Sequence, residues 1–562
     1  MQKRPNICKN PLRTQLSTQY YRSSGKKEVT ILPIITKEKL HELEQNHLFA
    51  KSKHSLLSIL FGRTTVICLL LLLQLGVLFS FFYFLGDYVP LYFGGTSALV
   101  AWMVIYLMNT EDDPTVNLSW CALIAIAPIL GFFLYWYIQL DLGHRITQRV
   151  LQNTQQESLA YLADQSHIME HLKKADKPLH DLAYYTSTHG GCQIFDHSTA
   201  TYYPVGEKKF EAMMAEMEKA EHYIFLEYFA LGQGSMWSTI LELLLRKAAQ
   251  GVEIRLLYDG TNELFHLPYN YPQQLEAQGI HCKVYAPLRP MMSTHYNNRD
   301  HRKILIVDGH TAFTGGVNLE DKYININPPY GHWKDAGLMV KGDAARGFVM
   351  MFLQMWNASE KERDFATYLP QPGQFPQPNS TGYVIPYCDS PLDDERLGET
   401  VYLDILNRAE DYVYIMTPYL ILDEKMLAAL TFAAKRGVDV RILLPHIPDK
   451  KYAFALAKRH YKQLIRAGVK LYEYTPGFVH SKIFLSDDRK AVVGTINLDF
   501  RSLYLNFECA AYMQDLPVVQ DIKTDYLDTL AISQHITMED ACNQKWYTRF
   551  AGWLLKTIAP LM

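Results

Sequence analysis

Three stretches near the N-terminus, residues 64–86, 88–110 and 114–140, carry no charged side chain and are separated only by Asp87 and by Glu111, Asp112 and Asp113. A bilayer span needs about 20 apolar residues at about 1.5 Å each, and Thr64–Leu85 (TTVICLLLLLQLGVLFSFFYFL) has that length. The pattern predicts an α-helical transmembrane region of two to three helices over 64–140. More than sixty residues precede the first apolar run, so these are read as retained anchors rather than a cleaved signal peptide. Before Thr64 the chain carries twelve Lys/Arg against four Asp/Glu, which places that segment in the cytoplasm by the positive-inside rule. Arg145 and Arg149 after the last stretch do not fit three full crossings. One stretch is therefore expected not to cross fully, and the second, broken by Gly94-Gly95, and the third, with Pro128 at its middle, are the candidates for a re-entrant or interfacial segment.

Beyond about residue 142 charges return at ordinary density, and the chain repeats itself at a separation of roughly 180 residues, a whole-domain duplication rather than a solenoid period. In the first copy YIFLEYF (Tyr223–Phe229) precedes LLLRKAAQGVEIRLLYDG, a helical pattern closed by Gly251 and followed by a buried strand. In the second, YVYIMTPYL precedes AALTFAAKRGVDVRILLP, where Gly437 and Arg441 take the places of Gly251 and Arg255. Strand, helix, strand in this order predicts an α/β class with two homologous sandwich halves around mixed sheets. The expected organisation is a basic N-terminal extension over 1–63, the transmembrane region over 64–140, a connector over 141–204, a first half over 205–375 and a second over 376–545. The proline-rich PQPGQFPQPNSTG from Pro370 joins the halves. An amphipathic C-terminal helix over 546–562 is expected to group Phe550, Trp553, Leu554, Thr557 and Ile558 on one face, which either packs on the parent domain or lies at the membrane interface.

Composition narrows the function classes. With 562 residues, 48% of them hydrophobic, the chain has material for several cores, and a net charge of -3 lacks the cationic excess that draws a protein onto nucleic acid. No nucleic-acid partner is expected. Eight scattered cysteines without a CxxC pair fit neither a zinc site nor a dense disulfide framework.

Each copy ends in one chemical motif. The first reads His301-Arg-Lys303-Ile-Leu-Ile-Val-Asp308 and then Gly315-Gly-Val-Asn318; the second reads His480-Ser-Lys482-Ile-Phe-Leu-Ser-Asp487 and then Gly494-Thr-Ile-Asn497. The internal spacings are identical. His and Lys two apart on a strand share a face, whereas Asp308 and Asp487, an odd number further on, face away and are assigned a supporting part in the catalytic motif. If the halves pack about a pseudo-twofold axis, two imidazoles, two ammonium groups and the carboxamides of Asn318 and Asn497 converge on one phosphodiester. Lys303, Lys482, Asn318 and Asn497 suit the charge that grows on phosphate oxygens as phosphorus becomes five-coordinate, without a metal or other cofactor. One imidazole attacks phosphorus and the other handles the proton, so one must be neutral and the other charged. Asp335 (in HWKDAG) and Glu508 (in LNFE) are the carboxylates expected to orient the ring nitrogens facing away from substrate.

This double HxK(x4)D(x6)GxxN pattern resembles the phospholipase D superfamily, and LSWCALIAIAPILGFFLYW and GTINLDFRSLYLNFE are similar to segments of its bacterial cardiolipin synthases. The resemblance covers nearly the whole chain from about residue 64. It implies a multi-pass protein of the bacterial cell membrane that transfers a phosphatidyl group between two phosphatidylglycerol molecules, giving cardiolipin and glycerol. It further implies a phosphohistidine intermediate, with His301 as nucleophile and His480 as acid/base. A hydrolytic phospholipase D or another phosphatidyltransferase is the alternative, because the same motifs serve related phosphodiesters. Oligomeric state is left open. His189, His332 and His460 are read as structural, Glu227 and Asp259 as ion-pair or capping residues, and Arg501 as a residue for lipid phosphate or a neighbouring carboxylate.

Overall fold

The computed structural model describes residues 95–555 apart from 111–113, 141, 266, 269, 288–296, 371–373, 376–377, 379, 394, 544–545, 547–548, 551 and 554, together with part of 69–88. The basic extension over 1–63 lies outside the described residues, as do parts of the first apolar stretch, the proline-rich connector and the C-terminal segment, including Leu554, Thr557 and Ile558. Among the described residues no helix is long and apolar enough to cross a membrane. The second and third apolar stretches fold as three short helices, Thr96–Met108, Pro114–Ile126 and Pro128–Gln139. At about 1.5 Å per residue each reaches roughly 20 Å, short of a hydrocarbon core of about 30 Å. Proline sets one break: Pro128 has no N–H to continue the preceding helix and opens the next. The three helices share a small core of Met103, Leu107, Trp120, Ile124 and Tyr135, while Trp102, Ile105, Met108, Leu118 and Ile126 are exposed.

The first half contains strands β1 (Ser198–Tyr203), β2 (Tyr223–Tyr228), β3 (Glu253–Asp259), β4 (Ile280–Tyr285), β5 (Arg299–Asp300), β6 (Lys303–Val307), β7 (Thr311–Gly315), β8 (His332–Lys334) and β9 (Gly337–Gly342). The second contains β10 (Tyr383–Asp389), β11 (Tyr412–Met416), β12 (Asp439–Pro445), β13 (Lys470–Tyr474), β14 (Gly477–Val479), β15 (Ile483–Ser486), β16 (Lys490–Gly494), β17 (Asn506–Gln514) and β18 (Ser533–Ile536). One sheet runs β1-β9-β7-β6-β2-β3-β4 and the other β10-β17-β16-β15-β11-β12-β13-β18. The first seven positions of each correspond, so the duplication seen in the sequence is a duplication of topology. Central strands β2 and β11 pair in parallel with β3 and β12 and antiparallel with β6 and β15. Covered on both faces, they are buried throughout rather than alternating: β11 (YVYIM) is an unbroken apolar run, and β2 (YIFLEY) is interrupted only by Glu227.

The first sheet begins at Ser198, ahead of the boundary expected at 205, because β1 closes its edge by antiparallel pairing with β9. The connector is not a spacer either. Leu172, Leu179 and Leu182 from its helices bury into the core of the second half. The inner faces of the two sheets meet in a shared core, where Ile304, Ile306, Leu338 and Val340 of the first half pack in one cluster with Val493, Cys509, Ala511 and Met513 of the second. This packing brings the two motif ends together.

Candidate active site

Two very short strand pairs cross between the halves and fix the site. Stub β5, which ends just before His301, runs parallel to the start of β17, with Arg299 beside Asn506 and Asp300 beside Phe507. Stub β14, which ends just before His480, runs parallel to β8, with Phe478 beside Trp333 and Val479 beside Lys334. Each register delivers the next residue pair: His301 beside Glu508, and His480 beside Asp335. The backbone completes each step, since His301 N–H donates to the Phe507 carbonyl at 2.9 Å and His480 N–H to the Lys334 carbonyl at 2.7 Å. The imidazole Nδ1 of His301 lies 2.9 Å from both Glu508 oxygens, and Nδ1 of His480 lies 2.7 Å from Asp335 Oδ2. The orienting carboxylates are thus exchanged between the halves, and neither half holds a complete His–carboxylate pair of its own.

The two histidines sit on the lead-in to β6 and β15 rather than within the strands. Each lysine folds back on its own histidine: Lys303 Nζ donates to the His301 carbonyl at 2.5 Å, while Lys482 Nζ donates to the His480 carbonyl and stands 2.9 Å from its Nδ1. Both lysines are buried. Burial, only partly offset by Glu508 and Asp335, lowers Lys303 to about 8 and Lys482 to about 7. Burial and the surrounding cations Lys303, Lys482, Lys450 and Arg501 hold His301 well below the ordinary imidazole range. His480 is pushed down to about 3 by burial and Lys482, against the opposing pull of Asp335. The carboxylates differ. Burial pushes Glu508 up to about 7, whereas for Asp335 the effect of burial is outweighed by His480, Lys482 and the Ala336 N–H, which hold it below the usual carboxylate range.

Asn318 and Asn497 line the cleft with both histidines. Asn318 accepts from Ala230 N–H at 3.1 Å and donates to Tyr323 OH at 2.7 Å; Asn497 donates to Ser502 Oγ at 2.9 Å. Tyr323 and Ser502 stand at the same distance along the chain from their asparagines, so a longer comparison of the repeats reveals them. Asp308 and Asp487 lie at the other end of the motif strands, in the hairpin turns, with left-handed φ of 48° and 54°. Their carboxylates accept from three successive amides that open the central strand: those of 221–223 for Asp308, at 2.8 Å each, and of 410–412 for Asp487, at 2.9–3.0 Å. They fasten the hairpin to the sheet and do not face the cleft. Glu227, buried 3.5 Å from Arg302, and Asp259, 3.5 Å from Arg299, also act behind the site. Thr495, whose Oγ1 reaches Glu508 Oε2 at 2.5 Å, was not singled out by the motif.

Between the imidazoles opens a cleft of about 580 Å³ lined from both halves, with Phe229, Trp333, Tyr419 and Leu456 among its apolar walls. Imidazoles held by carboxylates, two lysines and two carboxamides on a space of this size are an arrangement able to place a nucleophile, a proton carrier and cations around one phosphodiester.

A family profile described as cardiolipin synthase, PLD-like domain, matches residues 213–345 and 402–529, the two sheet units that carry the motifs. The chain is similar to an uncharacterized protein of Streptococcus mutans serotype c, 48% identical over 459 residues that cover 82% of this chain and 99% of that protein. It is also similar to a cardiolipin synthase of Geobacillus kaustophilus, 31% identical over 464 residues covering 82% of this chain and 91% of that enzyme. Among solved structures, the phosphatidylserine synthase of Haemophilus influenzae Rd KW20 superposes with a TM-score of 0.50 at 12% identity, over 65% of this chain and 93% of that one, which shows a shared fold. With two sequence-matched repeats, the fold and relatives across four-fifths of its length, the chain belongs to the cardiolipin synthase family of phospholipase D-like proteins.

Proposed function

We propose that this cleft joins two phosphatidylglycerol molecules into cardiolipin and glycerol, with His301 as nucleophile and His480 as general acid and base. In the first step the Nε2 lone pair of His301 bonds to phosphorus as the bond from phosphorus to the glycerol oxygen breaks, and His480 gives its proton to that oxygen. In the second, the hydroxyl of the other phosphatidylglycerol bonds to phosphorus, the P–N bond breaks, and the hydroxyl proton passes to His480. Lys303, Lys482, Asn318 and Asn497 hold the equatorial oxygens.

The observation that carries the assignment is the inequality of the crossed carboxylates. Asp335 is the more firmly ionised and stabilises an imidazolium on His480, the form an acid needs, once the phosphodiester adds its negative charge nearby. His301, surrounded by cations, stays neutral as a nucleophile must. The test supplies phosphatidylglycerol labelled on phosphorus and quenches in alkali, where phosphohistidine survives. Wild type is expected to yield cardiolipin and free glycerol. His480→Ala is expected to accumulate labelled protein, and His301→Ala to give neither product nor label. Label on His301→Ala reverses the assignment, and phosphatidic acid as the product makes the protein a hydrolase.

The apolar stretches over 64–140 support integral attachment to the cell membrane, and the exposed Trp102, Ile105 and Met108 suit the short helices to headgroup depth. Alkaline carbonate extraction checks this: protein released into the supernatant overturns it.

A further inference from the structure

The groups already described account for one phosphodiester, and the cleft holds more cation than that. Of the additional cations lining it, Arg299 faces Asp259 at 3.5 Å and Lys322 pairs with Glu320 at 2.8 Å. Lys450 differs: among the described residues its contact is the ring of Tyr419, with Nζ 5.0 Å from the centroid. Arg501, on the same wall, donates to the carbonyl of Asn297 at 3.1 Å and to its Oδ1 at 2.8 Å. Lys450 and Arg501 both belong to the second half and both bear on His301, the imidazole they help keep unprotonated. Asp499 also lines the cleft and bears on both cations, its carboxylate accepting the Ser502 N–H at 2.7 Å and pushed upward by burial, and Asp449, on the same wall, accepts from Tyr419 OH at 2.6 Å. Lys450 also caps the helix Lys451–Ala467, whose first turn contains no acidic residue and receives no side-chain cap. Tyr452 and Ala453 from that turn line the cleft, so the positive end of a 17-residue helix adds to the field of the two cations.

The accepting phosphatidylglycerol brings a phosphodiester of its own, one glycerol unit from the attacking hydroxyl. Two phosphodiester anions in one partly buried cleft repel each other unless cations separate them. We propose that Lys450 and Arg501 form a second anion subsite that takes the phosphate of the accepting lipid, and that this subsite makes a phospholipid a better acceptor than an uncharged alcohol. The inference rests on the transferase reading of the cleft. At this subsite no bond is made or broken; it positions the lipid whose hydroxyl bonds to phosphorus as the P–N bond to His301 breaks and the proton passes to His480.

The experiment sets the two acceptors against each other in one mixture. Full-length protein in detergent micelles receives phosphatidylglycerol together with isotopically labelled free glycerol. Transfer to lipid gives cardiolipin, and transfer to glycerol gives labelled phosphatidylglycerol from the same intermediate. The ratio of the two products reports the acceptor step alone. Lys450→Gln is expected to lower that ratio about tenfold and Lys450→Arg to restore most of it. A ratio unchanged in Lys450→Gln, whatever happens to total turnover, overturns the proposal. Wild type needs no refolded variant: inorganic phosphate, titrated as a competitor, is expected to depress the cardiolipin share before the glycerol share, and equal depression of both also overturns it. Wild type that makes neither product refutes the transferase reading itself, a distinct result.

Discussion

Replacing each crossed carboxylate by its amide separates the two histidines by mechanism, and the surrounding hydrogen bonds set the size of each effect. Asp335 Oδ1 accepts from the Ala336 N–H at 2.8 Å and Oδ2 faces His480 Nδ1 at 2.7 Å. In Asp335→Asn the carbonyl oxygen must stay on the Ala336 N–H, because the reversed amide sets donor against donor in a buried site at a cost of about 3 kcal/mol. The NH₂ group then faces Nδ1, drives the ring proton to Nε2 and forbids the imidazolium. An inverted tautomer at an acid–base histidine costs on the order of 10⁴-fold in kcat. The reversed amide, populated at roughly 1 in 100 for about 3 kcal/mol, keeps the correct tautomer and so caps the loss at about 10²-fold. Glu508→Gln behaves differently. Asn506 donates to Oε1 at 3.2 Å and fixes the carbonyl there, still within 2.9 Å of His301 Nδ1. Thr495 Oγ1, which has an alternative acceptor in the Cys509 carbonyl at 3.1 Å, turns to accept from the new NH₂. The tautomer survives and only the charge is lost, the difference between a charge-assisted and a neutral hydrogen bond of about 1.4 kcal/mol, or roughly tenfold. Initial rates of cardiolipin formation from phosphatidylglycerol in mixed micelles measure both. Equal losses, or a larger loss in Glu508→Gln, refute the crossed network as drawn here.

For the free enzyme, kcat/KM is expected to trace a narrow bell. It falls on the acid side as the Glu508–His301 pair takes up a proton near pH 7, and on the alkaline side as Lys482 (about 7) and Lys303 (about 8) lose charge; a flat profile from pH 5 to 9 contradicts this. Glu508→Gln removes the acid limb and leaves the alkaline one, read from the same titration. Gly316→Ala is expected to abolish turnover in a folded protein, since a Cβ there meets Asp335 Oδ1 at 2.0 Å and pushes that carboxylate off His480; circular dichroism matching wild type together with full activity is the contrary result. Asp487→Asn is expected to lower the urea midpoint through a loss of about 2 kcal/mol of amide hydrogen bonding while kcat per folded molecule stays within about threefold; a large kcat loss at unchanged midpoint returns Asp487 to the chemistry.

The chemistry was legible in this sequence wherever a residue type and a spacing recur, and obscure wherever tertiary pairing decides. His301, Lys303 and Asn318 recur with His480, Lys482 and Asn497 at fixed offsets, and the fold repeats with them strand for strand. The exchange of Asp335 and Glu508 has no such signature, because it depends on stubs of two and three residues whose register is set by the opposite half. Glu508 is further hidden inside the wholly buried strand NFECAAYMQ, where a carboxylate looks like an interruption of the core. In the apolar stretches over 88–140 the break at Pro128 was legible and opens a new short helix, but the helix lengths were not, since hydrophobicity measures burial and not helix length. One mismatch between the copies carried information that only the structure decodes. After the motif glycine the first copy has Gly316 and the second Thr495. Asp335 lies directly over Gly316, in space that a side chain would fill, while Glu508 is reached by the Thr495 hydroxyl. Each copy thus shapes this position to its own carboxylate, and that carboxylate serves the histidine of the other copy. Substitutions at 316 and 495 are therefore felt across the dyad: a change at 316 acts on His480, and a change at 495 on His301. The departure from perfect repetition is where the two histidines become chemically unlike, and a site needing one neutral and one charged imidazole requires such a departure.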